Sequence, residues 1–163
     1  MFWRTDNART LKSVDELMEM YDRSVGHGAV LLLNHTPDPS GLIPGADAAR
    51  AAEFGREIRR RYAIAIIDTA GRGKMVEMNL SAPAIIDAVI SMEDITVGER
   101  VRAYVIEGNV DDRWTELARG SAIGHKKIDR FPPTRVSAVR LRVTESVGEA
   151  VIRRLAAFDT SRE

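Results

Sequence analysis

Apolar residues follow two different patterns along the chain, and the first third carries the helical one. Ser13 followed by Glu16 forms a capping box, and apolar residues then recur on one helical face at Val14, Leu17, Met18, Tyr21 and Val25. Gly26 is typical of a helix end. Pro44 opens a second predicted helix, which runs to about Arg61.

A continuous apolar run, residues 29–33, lies between these two helices and is bounded by Gly28 and Asn34. Such a run is typical of a strand that is buried on both faces, as in a parallel sheet. The residues from Asn34 to Gly41 are rich in turn formers. A single strand of this kind needs neighbouring strands, and the chain supplies none of the same character. We therefore predict that this helix-strand-helix segment is part of a larger sheet.

From residue 62 onward, apolar and polar residues alternate instead. Short segments rich in β-branched residues are separated by turn signals at roughly the 8 to 12 residue spacing of sandwiches; they are residues 75–80, 85–92, 101–107, 114–118, 123–128, 136–143 and 151–158. Val139 and Leu141 alternate with Arg140 and Arg142, so one face is predicted to be buried and the other solvated.

These patterns predict an α+β protein. A helix-strand-helix segment, residues 1–61, is followed by an antiparallel β-sandwich, residues 62–163. The expected core of the sandwich includes Ile85, Val89, Val105, Trp114, Leu141 and Val143.

The composition narrows the classes of function. The chain has 163 residues, 24 basic and 24 acidic side chains and no cysteine. A formal net charge of zero removes the electrostatic reason to expect nucleic acid or an anionic membrane as partner. No stretch approaches the roughly 18 apolar residues of a membrane span. The first residues lack the pattern of a secretory signal, so the chain as written is expected to be cytoplasmic.

Several short motifs, taken in order, carry a family resemblance. In the first region they are Phe2-Trp3, Leu11-Lys12-Ser13, Ser24-Val25-Gly26, Leu31-Leu32-Leu33-Asn34, Pro37 and Gly41-Leu42-Ile43-Pro44. In the second they are Met92-Glu93-Asp94-Ile95, Gly98-Glu99-Arg100-Val101, Ile123-Gly124-His125-Lys126-Lys127-Ile128 and Leu141-Arg142-Val143-Thr144-Glu145-Ser146. Their order and spacing resemble the C-terminal part of bacterial α-L-fucosidases, from Phe2 to about Phe158.

The resemblance implies a fold and a parent activity. Residues 1–61 would be the C-terminal remnant of a (β/α)8 glycosidase barrel, and residues 62–163 a galactose-binding or discoidin-like accessory sandwich. The parent enzyme would hydrolyse terminal α-L-fucosyl linkages with retention. Met1 stands where the family usually has a tryptophan, so we expect the reading frame to extend upstream. His27 and the pair His35-Thr36 also depart from the family pattern.

The resemblance also implies that the catalytic groups lie elsewhere. Retaining hydrolysis needs two carboxyl groups about 5 to 5.5 Å apart, and barrels place them at the ends of different strands. The family's aspartate nucleophile and glutamate acid/base precede the aromatic pair, and neither has a matching position here. We therefore predict no catalytic residue and no hydrolysis by this chain alone. Phe2, Trp3 and Asn34 would bind substrate only in a completed barrel.

Three further groups of residues have alternative interpretations. Trp114 is either a core anchor, which we favour, or a platform on which a sugar ring stacks. Glu93, Asp94 and Glu99 could ligate a structural cation through oxygen, but solvated loop carboxylates are the simpler interpretation. Residues 71–74, Gly-Arg-Gly-Lys, lack the spacing and helix of a phosphate loop, so we expect a hairpin turn.

The three histidines, His27, His35 and His125, are scattered in sequence, and we expect them in loops or on the surface. Neither a metal nor a cofactor is predicted.

Three functions therefore stay open. The chain is a truncated or split glycosidase, a stand-alone carbohydrate-binding module, or one half of a glycosidase assembled in trans with an upstream barrel polypeptide. Residues 13–61 would carry the association, either with that polypeptide or with a second copy. Dimerisation is the preferred outcome for the chain by itself, because exposed strand edges invite pairing.

Overall fold

The computed structural model describes residues 10–162. Two helices precede six strands, and a short 3-10 helix, Ile95–Val97, follows the second strand. The elements are α1 (Val14–Ser24), α2 (Gly45–Tyr62), β1 (Ile67–Arg72), β2 (Met75–Glu93), β3 (Val101–Val110), β4 (Arg113–Gly120), β5 (Lys127–Ser146) and β6 (Val151–Phe158).

Both helices begin where the sequence predicts. The Ser13 side chain accepts a hydrogen bond from the backbone N–H of Glu16 at 3.1 Å, and the Glu16 carboxylate accepts one from the backbone N–H of Ser13 at 2.7 Å, which confirms the capping box. α2 begins directly after Pro44, whose missing N–H costs no hydrogen bond at a helix start. Neither helix in residues 10–162 is long and apolar enough to cross a bilayer.

The six strands form one antiparallel sheet in the order β1-β6-β2-β5-β3-β4. Residues of β3 and β6 share a single hydrophobic core, although β2 and β5 separate these strands in the sheet. The sheet therefore curls around this core like a sandwich, with its inner side chains on one face. The α+β architecture with a sandwich-like sheet is confirmed.

The strand boundaries differ from the predicted ones in four places, one of which is that residues 127–128 and 136–143, predicted in separate strands, belong to one strand, β5. The predicted strands 75–80 and 85–92 are one long strand, β2, because register shifts between Asn79 and Ala84 and between Ile86 and Ala88 bend it without ending it. Residues 123–126 are loop, and β5 starts at Lys127. β1 was not predicted, because it carries only one strongly β-forming apolar residue.

Most of the predicted core is buried. Val89, Val105, Leu141 and Val143 lie in the interior, as predicted. Ile85 is 45% exposed, because the register shift in β2 turns Ile86 rather than Ile85 inward. Trp114 is half-buried at the outer strand β4 and is not part of either core cluster.

The predicted strand over residues 29–33 is wrong for this chain. The segment has no strand pairing with any residue of the described chain, and one isolated bridge joins His27 to Lys127 just before it. The physical reason is the one that its sequence indicates: a strand forms by pairing, and the described residues offer it no partner strand. The apolar side chains of residues 29–33 nevertheless lie on both sides of the segment, as predicted.

Candidate functional site

The two helices cover the outer face of the sheet through a second hydrophobic cluster. Ala88, Ile90, Ile128, Ala156 and Phe158 point outward from the sheet and contact Leu17, Met18, Phe54 and Tyr62 of the helices. The Tyr62 ring meets Phe158 edge to face at 5.8 Å between ring centroids and stacks on Tyr21 at 6.2 Å. The helical segment is thus packed against the strands rather than attached by a loop alone.

Polar contacts fix the same interface. The Tyr62 hydroxyl donates to the Asp22 carboxylate at 3.0 Å, and burial together with this carboxylate raises the pKa of Tyr62. Arg130, on β5, donates to Asp22 at 3.3 Å and to the Thr160 hydroxyl at 3.1 Å. Thr160 in turn donates from its backbone N–H to the buried Asp87 at 2.7 Å. One arginine therefore joins α1 to the sheet and to the segment that follows β6.

Residues 29–33 lie on the far side of this helical layer. Leu31 and Leu33 are half-buried and pack against the helical cluster. Val30 and Leu32, which alternate with them, are 88% and 78% exposed. Exposed Leu42 and Ile43 follow in the loop before α2. This run has the alternation of a strand with one face covered and the other bare, and we call Val30, Leu32, Leu42 and Ile43 the open apolar surface.

A cleft of about 310 Å³ opens between α1, residues 31–36 and the start of α2. Leu17 and Met20 of α1 and Leu33 form its apolar wall. Asn34, the substrate-binding residue predicted for a completed barrel, lines it as well. The volume lies at the lower end of the range of small-molecule sites.

The polar end of this cleft holds a histidine and an aspartate. His35 Nδ1 lies 3.4 Å from Asp47 Oδ1, and both side chains are half-buried. Arg50, which also lines the cleft, donates to the Lys12 carbonyl and to the Glu53 carboxylate. The consecutive residues Asn34 and His35 both line the cleft, whereas nothing in the sequence pattern connects His35 with Asp47.

Asp38, the carboxylate nearest in sequence after Asn34, serves a local turn. It accepts hydrogen bonds from the Ser40 hydroxyl at 2.5 Å, from the Ser40 backbone N–H at 2.8 Å and from the Leu42 backbone N–H at 3.3 Å. The Ser40 hydroxyl is the main cause that lowers the pKa of Asp38. Its carboxylate is therefore held in an Asx turn.

Trp114 has a cation above its ring. The Arg140 guanidinium carbon lies 4.0 Å from the ring centroid, within the range of a cation–π contact. Arg140 also donates to the Glu107 carboxylate at 2.7 Å, and Arg142 donates to the same carboxylate at 3.2 Å. These arginines, Arg140 first, lower the pKa of Glu107 against the opposing effect of its burial. One face of the indole is thus covered by a residue that is itself tied down.

Glu93 is not a solvated loop carboxylate, and that expectation is wrong. Its side chain is only 1% exposed, and it accepts hydrogen bonds from three backbone N–H groups: Arg100 at 2.8 Å, Val101 at 3.0 Å and Gly124 at 2.9 Å. Asp94 caps the 3-10 helix through Thr96, and Glu99 is exposed. Within residues 10–162, no cluster of three or more potential ligands could hold a metal ion.

The remaining candidates are simpler. Gly73, with a φ of 92°, lies in the tight turn between β1 and β2. These two strands are not paired, because β6 lies between them in the sheet, so the turn predicted at residues 71–74 is present but the predicted hairpin is wrong. His27 and His125 are exposed. Phe2 and Trp3 lie outside the described residues.

Comparison with known proteins gives relatives of one enzyme family. A Bacteroides thetaiotaomicron VPI-5482 structure assigned as an α-L-fucosidase shares 38% identity over 97% of this chain and 37% of its own, with a TM-score of 0.95. A Bacteroides ovatus ATCC 8483 structure of the same assignment shares 31% identity over 99% and 29%, with a TM-score of 0.88. A rice protein, assigned as α-L-fucosidase 1, is 24% identical over 98% of this chain and 37% of its own. No family profile matches the chain.

The fold is that of a glycosidase's C-terminal region, a helical segment covering a sandwich-like sheet. The chain is similar in sequence and structure to the C-terminal part of α-L-fucosidases of glycoside hydrolase family 29, as the sequence motifs predict. It spans 37% of the length of the B. thetaiotaomicron and rice relatives and 29% of the B. ovatus one.

Proposed function

We propose that this chain is the C-terminal part of a retaining α-L-fucosidase, in which residues 1–61 complete a catalytic (β/α)8 barrel and residues 62–163 form an accessory sandwich. The open apolar surface carries the proposal. Val30 and Leu32 are almost fully exposed, while their neighbours Leu31 and Leu33 pack on the helices. A barrel would pair this segment with adjacent strands and bury both of its faces.

In this proposal the chain alone does not hydrolyse fucosides. The mechanism requires a nucleophile and an acid/base carboxyl group about 5 to 5.5 Å apart. Of the two aspartates near Asn34, Asp38 is held in its turn and Asp47 faces His35. Both carboxylates of the mechanism would come from a polypeptide that contributes the preceding barrel strands.

Residues 13–61 are then the association surface. With a barrel polypeptide present, the open apolar surface would be covered by its strands. Without the barrel polypeptide, a second copy of the chain would cover the same surface. Such association would pair the free backbone groups of the segment and remove its exposed leucine side chains from water.

The test is reconstitution of activity. The chain alone and the chain mixed with a polypeptide that carries the preceding barrel strands and both carboxylates are assayed with an aryl α-L-fucoside. We expect turnover only in the mixture, and Leu32→Lys should reduce it because the lysine charges the contact surface. Val147→Lys, at an exposed residue of the β5–β6 turn, is the matched control and should leave it unchanged. Turnover by the chain alone that a fucosidase inhibitor abolishes would contradict the proposal.

A stand-alone carbohydrate-binding role for Trp114 has weaker support. Its ring is already engaged by Arg140, and a stacked sugar would have to displace that guanidinium or use the other face.

A further inference from the structure

We propose that Arg130 of β5 is a positioning residue for the barrel segment, residues 29–34. Arg130 fixes the end of α1 and thereby the direction in which this segment leaves the helical layer, so that the open apolar surface meets the preceding barrel strands in one orientation. The inference rests on the hydrolytic role proposed above and deepens it, because it gives the sandwich a part in assembling the catalytic site. Arg130 is not among the described residues that line the cleft at Asn34, so it acts through α1 rather than by contact with a substrate.

The start of β5 holds the point at which the barrel segment begins. The backbone N–H of Ile128 donates to the Gly26 carbonyl at 2.9 Å, and His27 forms an isolated antiparallel bridge with Lys127. Gly28, with a φ of 79°, then turns the chain in a left-handed conformation that favours glycine. The barrel segment follows at once, so its starting point and direction are set where α1 ends on β5.

Arg130 secures this point by a fork of contacts to side chains of different elements. One guanidinium nitrogen, Nη1, lies 3.3 Å from Asp22 Oδ2 in the last turn of α1. The other, Nη2, lies 3.1 Å from the Thr160 hydroxyl oxygen and 3.7 Å from Oδ2 of Asp87 on β2. A planar guanidinium suits such a bridge, because its donors have fixed relative directions.

The two carboxylates depend on this arginine for their charge balance. The side chains of Asp22 and Asp87 are only 19% and 8% exposed, and no other basic side chain in residues 10–162 lies within ion-pair distance of either one. A buried charge that loses its partner is strongly unfavourable. Asp22 also accepts a hydrogen bond from the Tyr62 hydroxyl of α2, so a movement of Asp22 would shift both helices.

The helical layer can shift without disruption of the inner core of the sheet. As far as the chain is described, that core contains no residue of α1 or α2, whereas Leu31 and Leu33 of the barrel segment pack against the helical cluster. A displaced α1 would therefore carry these two leucines and Asn34 with it. A misplacement of about 1 Å at a reacting site can cost about a hundredfold in rate, even when its cause lies far away. We therefore expect loss of Arg130 to reduce activity while the sheet stays folded.

The experiment compares the wild-type full chain with Arg130→Gln, which removes the charge and the guanidinium fork but keeps a polar side chain. Each is mixed with the barrel polypeptide of the reconstitution assay, and kcat/KM for an aryl α-L-fucoside is measured at a saturating concentration of the chain. Saturation removes differences in assembly, so a remaining defect reports the geometry of the site. We expect kcat/KM to fall at least about tenfold. Arg135→Gln, at an exposed arginine of the same strand, is the matched control and should behave like the wild type.

Hydrogen exchange on the chain alone tests the positioning independently of activity. The Ala29 N–H donates to the Ser24 carbonyl at 3.0 Å, and the Ile128 N–H donates to Gly26, so both amides report on the place where α1 ends. In Arg130→Gln these two amides should exchange about tenfold faster, whereas the Leu141 amide in the inner core should keep its protection. Arg130→Lys keeps the charge but not the fork, so it should recover part of the activity. If Arg130→Gln fails to fold, the same measurements on Arg130→Lys decide, with a smaller loss in the same pattern expected.

Two results would overturn the inference. One is unchanged exchange at Ala29 and Ile128 in the Arg130 variants. The other is a kcat/KM at saturation equal to that of the wild type, which would leave Arg130 a role in stability alone. An inactive wild-type mixture would instead refute the hydrolytic role, and the exchange measurement then decides the positioning of the barrel segment by itself.

Discussion

Replacing Glu93 by glutamine should destabilise the whole sandwich, although the change is nearly isosteric. The buried Glu93 carboxylate holds three backbone N–H groups from two separate loops: Oε1 accepts from Arg100 and Val101, and Oε2 accepts from Gly124. Hydrogen bonds from N–H groups to an ionised acceptor are stronger than those between neutral groups. A glutamine keeps only one of the two acceptor oxygens.

The magnitude follows from counting the groups left without a partner. In either orientation of the introduced side-chain amide, at least one backbone N–H loses its acceptor and faces an NH₂ group that also lacks one. Each buried unsatisfied donor costs about 1 to 3 kcal/mol, so the two together should lower the free energy of unfolding by at least about 2 kcal/mol. For a chain of this size, that corresponds to a decrease in Tm of at least about 4 °C.

Thermal unfolding followed by circular dichroism measures this change, and hydrogen exchange should show faster exchange at the Gly124 amide. Glu99→Gln is the matched control, because Glu99 is an exposed carboxylate on the same loop. It should change the stability by no more than about 0.5 kcal/mol. If Glu93→Gln melts like the wild type and the Gly124 amide stays protected, the carboxylate does not hold these loops.

Three further predictions concern the core, a buried carboxylate and the open apolar surface. Leu141 on β5 is fully buried, and β5 lies between β2 and β3. Leu141→Ala should lower the free energy of unfolding by about 2 to 5 kcal/mol, and an unchanged Tm would refute its place in the core. Burial raises the pKa of the Asp129 carboxyl group, and this effect outweighs the hydrogen bond from the Tyr104 hydroxyl, which lowers the pKa. The group therefore contributes stability at low pH, where it is protonated, and this contribution is lost as the pH rises through its pKa in the folded state. Asp129→Asn should therefore raise the Tm at pH 7 and have a smaller effect below about pH 4; equal effects at both values would contradict this. Leu32→Lys should shift the chain from dimer towards monomer in analytical ultracentrifugation, and a wild type that is already monomeric at tens of micromolar would remove the case for self-association.

The sequence predicted those elements whose stabilising contacts are local. The capping box of α1 and the turn at Gly73 are set by residues a few positions apart, and both are present. The division of β2 at residue 80 was wrong because a bulge is decided by the partner strand, which the sequence of β2 does not contain. Alternation likewise placed Leu141 correctly, because it lies in a regularly paired stretch of β2 and β5, and Ile85 incorrectly, because it lies between the two register shifts of β2.

The candidate site was less accessible from the sequence. Asn34 was singled out through the family motif, but His35 gained its meaning only from Asp47, twelve positions away on α2. Glu93 was recognised as part of an acidic group, and its true environment depends on the N–H of Gly124, 31 positions away. Such distant groups come into contact only through the tertiary fold, and no local pattern in the sequence indicates these contacts.

The helical layer has a consequence for how this region is inherited. β6 is covered by the core on one side and by α1 and α2 on the other, with Phe158 and Tyr62 in edge-to-face contact. A sandwich transferred to another protein without these helices would expose Phe158, Ile90 and Ile128 to water, and such patches promote aggregation. The unit that can pass intact between proteins is therefore the sheet together with its two helices. We therefore expect α1, α2 and the sheet to be inherited as one block.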